Sequence, residues 1–195
     1  MAQGSFLEQG YAGTSMSGIA AQLGGSKGTL WSYFPSKEAL FTAVVERATD
    51  EFQRQLMLIL NPDDDLETAL RRFCSEFLAK ITSSDAIGLH RLVLGETRRF
   101  PELGRIFYER GPRQTHVLLA GFIAAVQGRG RLPGVEPIRA AQHLTWLCMS
   151  GHHQMLLTGV IASVSAKECA EDVEAAMTTF MRAYDTAARD GGRIP

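Results

Sequence analysis

A run of side chains near the N-terminus has the residue types and spacing needed to contact DNA bases. Lys27 can donate hydrogen bonds to guanine acceptors, and Thr29 can touch the methyl group of thymine. Gly28 stands between them and leaves room for a close approach of the backbone. The three residues fall at the start of a predicted helix, and the N-terminal turn of such a helix reaches base edges when it lies in the major groove.

Three further polar side chains are candidates for contacts with the phosphate backbone. Ser15 and Ser17 stand at the start of the preceding predicted helix. Lys37 lies in the first turn of a long predicted helix, whose unpaired backbone N–H groups favour an anion such as phosphate. Trp31 can reach the backbone or a base, and packing inside the protein is an equally supported alternative.

Two short helices joined by a glycine turn have to position these side chains. The first begins after Ser15 as N-cap and has one apolar face, formed by Met16, Ile19, Ala20 and Leu23. Gly24 is expected to adopt a positive φ, and the second helix, about 26–34, directs Leu30 and Phe34 inward. The spacing of Ala20, Gly24 and Leu30 is typical of a helix-turn-helix, although spacing alone also allows an ordinary helical corner.

Helical periodicity continues along the rest of the chain, and no alternating segment predicts a strand. We therefore predict an all-α protein with two domains. Residues 1–45 form a three-helix DNA-binding domain with the helix-turn-helix, and residues 46–195 form a larger helical domain for effector binding and dimerisation. Within the larger domain, helices are expected at about 136–158 and 166–189.

Composition places the chain among ordinary globular proteins. Of its 195 residues, 45% are hydrophobic and 21% charged, and no apolar run is long enough to span a bilayer. The N-terminus lacks the pattern of a secretory signal, so a cytoplasmic protein is expected. Three widely spaced cysteines do not form a disulfide framework and are interpreted as buried thiols, with a redox-sensing thiol as the alternative.

The N-terminal segment resembles the DNA-binding domain of TetR-family transcriptional regulators over residues 6–45. The resemblance rests on Gly10 to Met16, on Ile19-Ala20-Ala21, and on the run Ser26-Lys-Gly-Thr-Leu-Trp-Ser-Tyr-Phe-Pro-Ser-Lys-Glu-Ala-Leu-Phe41. It implies that Tyr33 and Lys37 contact phosphates, and Trp31 stands where the family usually has tyrosine. It also implies a homodimer that acts on a double-stranded operator, more often as a repressor than as an activator. Leu92 to Pro112 is similar to the AefR-like branch of the family.

The larger domain should hold a mostly apolar effector pocket between helices. Candidates are side chains on predicted inward faces, each of which has plain core packing as its alternative: Phe73, Phe77, His90, Leu94, Phe107, His116, His143 and Trp146. This set favours a small apolar or aromatic effector. We expect effector binding to shift the population toward a conformation whose recognition helices no longer match the operator half-sites.

The last two predicted helices are candidates for the dimer interface. Ala141, Gly151 and Ala176 are small enough for close helix approach, and the apolar stripe consists of Val173, Met177, Phe180 and Met181. Two helices from each subunit would form a four-helix bundle. The alternative is that this stripe packs inside one subunit.

Two features depart from the family pattern. Few residues precede the matched segment, which leads us to hypothesise that the native chain begins upstream. Residues 1–48 contain three basic and three acidic side chains, so the motif region carries no net charge. Because phosphate neutralisation supplies much of DNA affinity, a neutral motif should bind weakly. A small-molecule sensor or carrier with weakened DNA binding is therefore one alternative.

An all-helical enzyme is a second alternative, although no nucleophile, base and orienting group stand together in the sequence. His143, His152 and His153 do not share the spacing of a chelating set, because neighbouring residues on a helix face different directions. We expect no catalytic site, metal or cofactor.

Overall fold

The computed structural model describes residues 2–22, 24 and 27–185, without the side chains of Lys27 and Thr29. These residues form helices only, which confirms the all-α prediction. The helices are α1 (Ala2–Gly13), α2 (Met16–Gln22), α3 (Lys27–Tyr33), α4 (Lys37–Ile59), α5 (Leu66–Ile81), α6 (Ser84–Glu96), α7 (Pro101–Arg110), α8 (Pro112–Gln127), α9 (Pro137–Met149), α10 (His152–Thr158) and α11 (Ala166–Tyr184). Within this part of the chain, no helix combines the length and apolar character required to cross a membrane.

Two compact units divide the chain, and each draws on separate stretches of sequence. The first contains the chain up to Glu51 together with Ser84–Arg113, so it joins α1–α3 and most of α4 to α6 and α7. The second contains Phe52–Ser83 and the chain from Gln114 onward. The two units therefore alternate along the chain, with boundaries after Glu51, Ser83 and Arg113, whereas the predicted functional domains meet at one boundary, after residue 45. The assignment of functions to 1–45 and 46–195 stays a prediction.

An aromatic cluster forms the centre of the first unit. The Phe6 ring lies 5.4 Å from the Phe41 ring and 5.7 Å from the Tyr11 ring, between centroids. The remaining buried side chains include Leu89 and Val93 of α6 and Leu103 and Ile106 of α7, all in the same apolar cluster. Since α6 and α7 cover part of the core of α1 and α4, the helices of the predicted DNA-binding domain are not stabilised by residues 1–45 alone.

Single side chains determine where several of the first helices begin or bend. The Ser15 hydroxyl accepts a hydrogen bond from the backbone N–H of Gly18 at 3.0 Å, which confirms Ser15 as the N-cap of α2. Ser36 accepts in the same way from Ala39 at 3.0 Å and caps α4. Gly10 kinks α1 without ending it: its φ is 72° and the helix continues to Gly13.

The second unit is built around three amphipathic helices, α5, α9 and α11. Their apolar faces meet in one cluster that includes Leu70, Phe73, Leu144 and Phe180. A capping box between Ser165 and Glu168 fixes the start of α11. On the outside, Arg71 of α5 forms an ion pair with Glu174 of α11.

The structure corrects the predicted helix 136–158, which is two helices separated at Ser150 and Gly151. The backbone at Gly151 has φ −98° and ψ −124°, outside the helical range. The Asp172 carboxylate of α11 occupies the space beside Gly151 and accepts a hydrogen bond from the backbone N–H of His152 at 3.0 Å. The last predicted helix, 166–189, reaches beyond the described residues, which end at Asp185.

The apolar stripe predicted for the dimer lies inside the subunit. Five of the predicted interface residues are at most 3% exposed and belong to the core of the second unit: Ala141, Val173, Ala176, Met177 and Phe180. Met181 packs at the edge of the same core, and Gly151 is half-buried beside Asp172. These residues therefore pack within one subunit, which was the alternative interpretation of the stripe. A partner subunit would have to contact another face of α9 and α11.

Candidate nucleic-acid interface

The corner between α2 and α3 has the geometry expected of a helix-turn-helix. Ile19 and Ala20 of α2 and Leu30 of α3 are buried and form part of the core of the first unit. Gly24 in the turn has a φ of 65°, the left-handed conformation that glycine adopts without steric cost. The apolar faces of the two helices are thus directed inward, and their polar faces remain outside.

The exposed face of this corner carries most of the predicted DNA contacts. Ser15, Ser17 and Gly28 are exposed. Trp31 is 42% and Tyr33 75% exposed, so neither aromatic side chain is taken up by the core. For Trp31 this favours the surface interpretation over the packed one. Lys27 and Thr29 lie in α3, and their side chains are outside the described part of the chain.

Lys37, at the start of α4, contacts the protein itself. Its ammonium group donates hydrogen bonds to the carbonyl oxygens of Tyr11 at 2.7 Å and Thr14 at 2.9 Å. It also lies 4.4 Å from the centroid of the Tyr11 ring and 5.9 Å from that of Phe100, within the range of cation–π attraction. Partial burial lowers the pKa of Lys37, and the nearby Glu96 carboxylate opposes that shift. The predicted phosphate contact of Lys37 stays a prediction, but the side chain also joins α4 to the end of α1.

Three residues around Lys37 were not singled out by the sequence. Thr14 is buried, and its hydroxyl lies 3.0 Å from the carbonyl oxygen of Ser5. Glu96, at the end of α6, accepts a hydrogen bond from the backbone N–H of Ala12 at 3.1 Å. The Phe100 ring packs edge-on against Tyr11, with centroids 5.0 Å apart. Together they attach the α6–α7 turn to the segment that leads into α2.

Tyr11 is the buried centre of this attachment. Burial, with smaller contributions from the Glu102 and Glu38 carboxylates, raises its pKa to about 12. The phenol therefore stays neutral over the physiological pH range, and its ring serves as packing surface for Lys37, Phe41 and Phe100.

Three of the effector candidates are buried in the second unit. Phe73 and Phe77 of α5 are buried and stacked, with centroids 5.7 Å apart and planes 8° from parallel. His116 of α8 is buried as well, and its Nε2 lies 3.0 Å from the hydroxyl oxygen of Thr145. These side chains supply an aromatic surface and one polar group.

The hydrogen bonds around Thr145 indicate which nitrogen of His116 carries the proton. The Thr145 hydroxyl has one hydrogen, and the Gln142 carbonyl oxygen lies 2.9 Å away to accept it. Nε2 of His116 is then the donor to Thr145, and Nδ1 is a buried acceptor that has no hydrogen-bond partner within the described residues. Burial lowers the pKa of His116, which keeps the ring neutral.

The other five effector candidates lie elsewhere. His90 and Phe107 stack at 5.3 Å in the first unit. The expectation that Leu94, His143 and Trp146 face inward is wrong: Leu94 is 60% and Trp146 64% exposed, and His143 is exposed on the same face of α9.

A groove on the outer surface of α9 and α11 contains two of these exposed residues. It has a volume of about 380 Å³ and is lined by His143, Trp146, Leu147, Ser150, Thr179, Ala183 and Tyr184. His143 and Tyr184 stack with centroids 5.9 Å apart and are joined by a hydrogen bond between Nδ1 and the phenol oxygen. This face is largely apolar and aromatic; Leu147 and Tyr184 also pack against the subunit core, whereas His143 and Trp146 are exposed.

Comparisons with known proteins match both parts of the chain. The family described as "Bacterial regulatory proteins, tetR family" matches residues 2–44, and "AefR-like transcriptional repressor, C-terminal domain" matches residues 68–186. The HTH-type transcriptional repressor ComR of Escherichia coli (strain K12) is 27% identical over 131 residues, which are 66% of this chain and 62% of ComR. The chain thus matches somewhat less than two thirds of that relative's length.

Solved structures agree over nearly the full chain. A TetR-family transcriptional regulator from Mesorhizobium loti has a TM-score of 0.84 and 26% identity, with 94% of this chain and 93% of that chain covered. The "Flavonoid-responsive Regulator FrrA" has a TM-score of 0.77 and 32% identity, with the same shares covered. These proteins are similar to this chain in both the DNA-binding corner and the larger helical unit.

Proposed function

Because this chain belongs to the TetR family of bacterial transcriptional regulators, we propose that it is a homodimeric repressor that a small aromatic effector releases from its operator. The observation that carries the proposal is the exposed face of the α2–α3 corner, which presents Ser15, Ser17, Gly28, Trp31 and Tyr33 around a buried apolar support. Such a protein acts where the chromosome is, in the cytoplasm, and needs no catalytic group.

The operator contacts follow from the positions of these side chains. The first turn of α3, with Lys27, Gly28 and Thr29, would read base edges in the major groove. Ser15, Ser17 and Tyr33 would hold phosphates on either side, with Lys37 adding charge next to the same segment. Two copies of this corner would bind half-sites about 34–36 Å apart.

The dimer would form through the outer faces of α9 and α11. Trp146 is a large apolar side chain left exposed beside the groove with His143 and Tyr184, and it suits a second copy of the same surface in a two-fold interface. Trp146→Glu should give monomers by analytical ultracentrifugation while leaving the helical circular dichroism unchanged. Trp31→Glu, a matched change of an exposed tryptophan, should leave the dimer intact.

We place the effector in the second unit, near Phe73, Phe77 and His116. FrrA responds to flavonoids according to its name, and the second unit contains both stacked phenylalanine rings and a buried acceptor nitrogen that would suit a polyphenol. A phenolic hydroxyl could donate to Nδ1 of His116, which otherwise lacks a partner among the described residues.

The signal would pass through α7 and α6. His116 lies one turn into α8, which begins directly after α7, and α7 and α6 belong to the unit with the helix-turn-helix. The contact of Glu96 with the Ala12 backbone would then carry a displacement of α6 to the start of α2. The effector can shift this equilibrium only by the difference between its affinities for the two conformations.

A fluorescence anisotropy titration of DNA from upstream of its own gene tests the regulator. We expect specific binding that Lys27→Ala makes less selective between bases. Naringenin, a hydroxylated flavonoid, should release the DNA, and the unsubstituted parent flavanone should do so less well. Glu96→Ala should bind naringenin with unchanged affinity but release DNA poorly. Binding of naringenin without any specific DNA binding would instead favour the sensor or carrier function.

A further inference from the structure

Within the DNA-binding unit, the segment 84–113 has a net positive charge that the N-terminal segment lacks. Residues 1–48 have equal numbers of basic and acidic side chains, and Lys37 already donates two hydrogen bonds within the protein. The segment 84–113, which folds with them, contains six arginines and four carboxylates. Positive charge for phosphates is therefore to be sought in α6, α7 and the turn between them.

Two of these arginines lie beside the helix-turn-helix. Arg98 and Arg99 occupy the turn between α6 and α7, and both side chains are exposed. The Arg99 guanidinium lies 5.3 Å from the Phe100 ring, and that ring lies 5.0 Å from Tyr11. The turn is attached to the backbone of Ala12 through Glu96, only three residues before Ser15. Arg98 and Arg99 thus border the segment that leads to the predicted phosphate contacts of α2.

These two arginines differ from Arg105 and Arg110 of the same segment, which form ion pairs. Arg105 pairs with Glu38 and Glu109, and Arg110 pairs with Glu46. Within the described residues, Arg98 and Arg99 take part in no ion pair. Of the carboxylates near this turn, Glu96 partly offsets the charge of Lys37, Glu102 acts on Tyr11, and Glu38 pairs with Arg105.

We infer that Arg98 and Arg99 bind phosphate groups of the operator next to the helix-turn-helix. A guanidinium group can donate two parallel hydrogen bonds to phosphate oxygens. Because the Arg99 guanidinium already lies over the Phe100 ring, this side chain loses less conformational entropy when it binds a phosphate. These contacts position the protein without selecting sequence. The inference rests on the proposed DNA-binding function, and it makes the turn between the two helices that are proposed to transmit the effector signal part of the DNA-binding surface.

The test compares the salt dependence of operator affinity for three full-length proteins. They are the wild type, Arg98→Ala/Arg99→Ala, and Arg113→Ala as a control that also removes an exposed arginine of the same unit. Arg113 follows the end of α7, where the Arg110 carbonyl contacts Thr49, about 18 Å along α4 from Lys37. Affinity for the upstream DNA and for unrelated DNA is measured by anisotropy between 50 and 300 mM salt.

For the double variant we expect the slope of log K against log salt to fall by about 1.8, since each lost phosphate contact contributes about 0.9. Affinity should fall roughly tenfold or more near 0.15 M salt, equally for operator and unrelated DNA. Arg113→Ala should keep the wild-type slope. Arg98→Lys/Arg99→Lys should restore most of the slope, and this rescue excludes a folding defect as the cause.

A double alanine variant with the wild-type slope would overturn the inference, and so would a slope change matched by Arg113→Ala. Both results would leave the regulator function intact, because the wild type would still bind its operator specifically. Absence of specific binding by the wild type would instead overturn the proposed function.

Discussion

The ammonium group of Lys37 lies 2.7 Å from the carbonyl oxygen of Tyr11, at the last turn of α1. Carbonyl groups at the end of a helix lack partners within that helix, and a positive charge is favoured there. Lys37 therefore acts as a cap for α1 from the start of α4. A residue that the family resemblance assigns to DNA contact has a structural role in the same place.

Lys37→Met should consequently lower stability as well as DNA affinity. Loss of two charged hydrogen bonds at a half-buried site is expected to cost about 1–3 kcal/mol and to lower Tm by roughly 3–8 °C. Tyr33→Phe is the control: Tyr33 is 75% exposed, so its variant should affect DNA affinity with little change in Tm. A Lys37→Met protein with weaker DNA binding and an unchanged Tm would limit Lys37 to phosphate contact.

Alkaline pH should destabilise the protein through Tyr11. Its pKa of about 12 exceeds the value of about 10 in an unfolded chain, so the stabilisation is complete below pH 10 and is lost as the pH rises from 10 to 12. The full loss is on the order of 3 kcal/mol. Tyr11→Phe keeps the aromatic packing and should make the free energy of unfolding, measured with urea from pH 8 to 11.5, depend less on pH. Equal slopes for the two proteins would contradict this role.

Gly151→Ala should destabilise the protein because the added methyl group would clash with a side chain of the same subunit. A Cβ atom at this position would overlap the carboxylate group of Asp172, which lies 3.0 Å from both the backbone nitrogen and Nδ1 of His152. Asp172 would have to leave these partners, at a cost of about 1–3 kcal/mol. The measurement is thermal unfolding of Gly151→Ala, Asp172→Ala and the double variant. Strictly additive effects would show that the two residues do not interact.

Mild acid should destabilise the protein through one buried histidine, His116, and one partly buried histidine, His90. Burial lowers the pKa values of His90 and His116 below 6.5, so an unfolded chain binds more protons than the folded one when the pH falls. Stability is therefore complete above pH 6.5 and declines as the pH falls toward the folded-state pKa values. His90→Phe/His116→Phe should lose less stability between pH 7.5 and 5 than the wild type. Histidine NMR resonances that titrate at or above 6.5 would contradict the burial effect.

Features that depend on neighbouring residues could be predicted from the sequence. The α2–α3 corner, the positive φ of Gly24 and the Ser15 cap follow from helical spacing and from the properties of glycine and serine. Contacts across the chain could not be predicted in this way. Glu96 meets Ala12 across 84 residues and Lys37 meets Tyr11 across 26, and no local pattern links either pair.

The faces of α9 and α11 show a second kind of limit. Both helices have apolar residues on two sides, with Leu144 in the core and Trp146 outside. Periodicity identifies such helices but does not decide which side meets the subunit's own core and which meets a partner. Periodicity therefore allows Val173 and Phe180 to be predicted on the partner side, whereas the structure buries them within the subunit.

The attachment of α6 and α7 to the first helices also limits how this protein can be recombined. A chimaera joined after residue 45 would separate Phe41 and Val45 from Leu89, Val93, Leu103 and Ile106, which share their core. Grafting the N-terminal segment onto another regulator would then require matching side chains in the recipient's α6 and α7. In evolution, new operator specificity is thus more readily acquired by substitutions on the exposed side of α3 than by exchange of whole N-terminal segments.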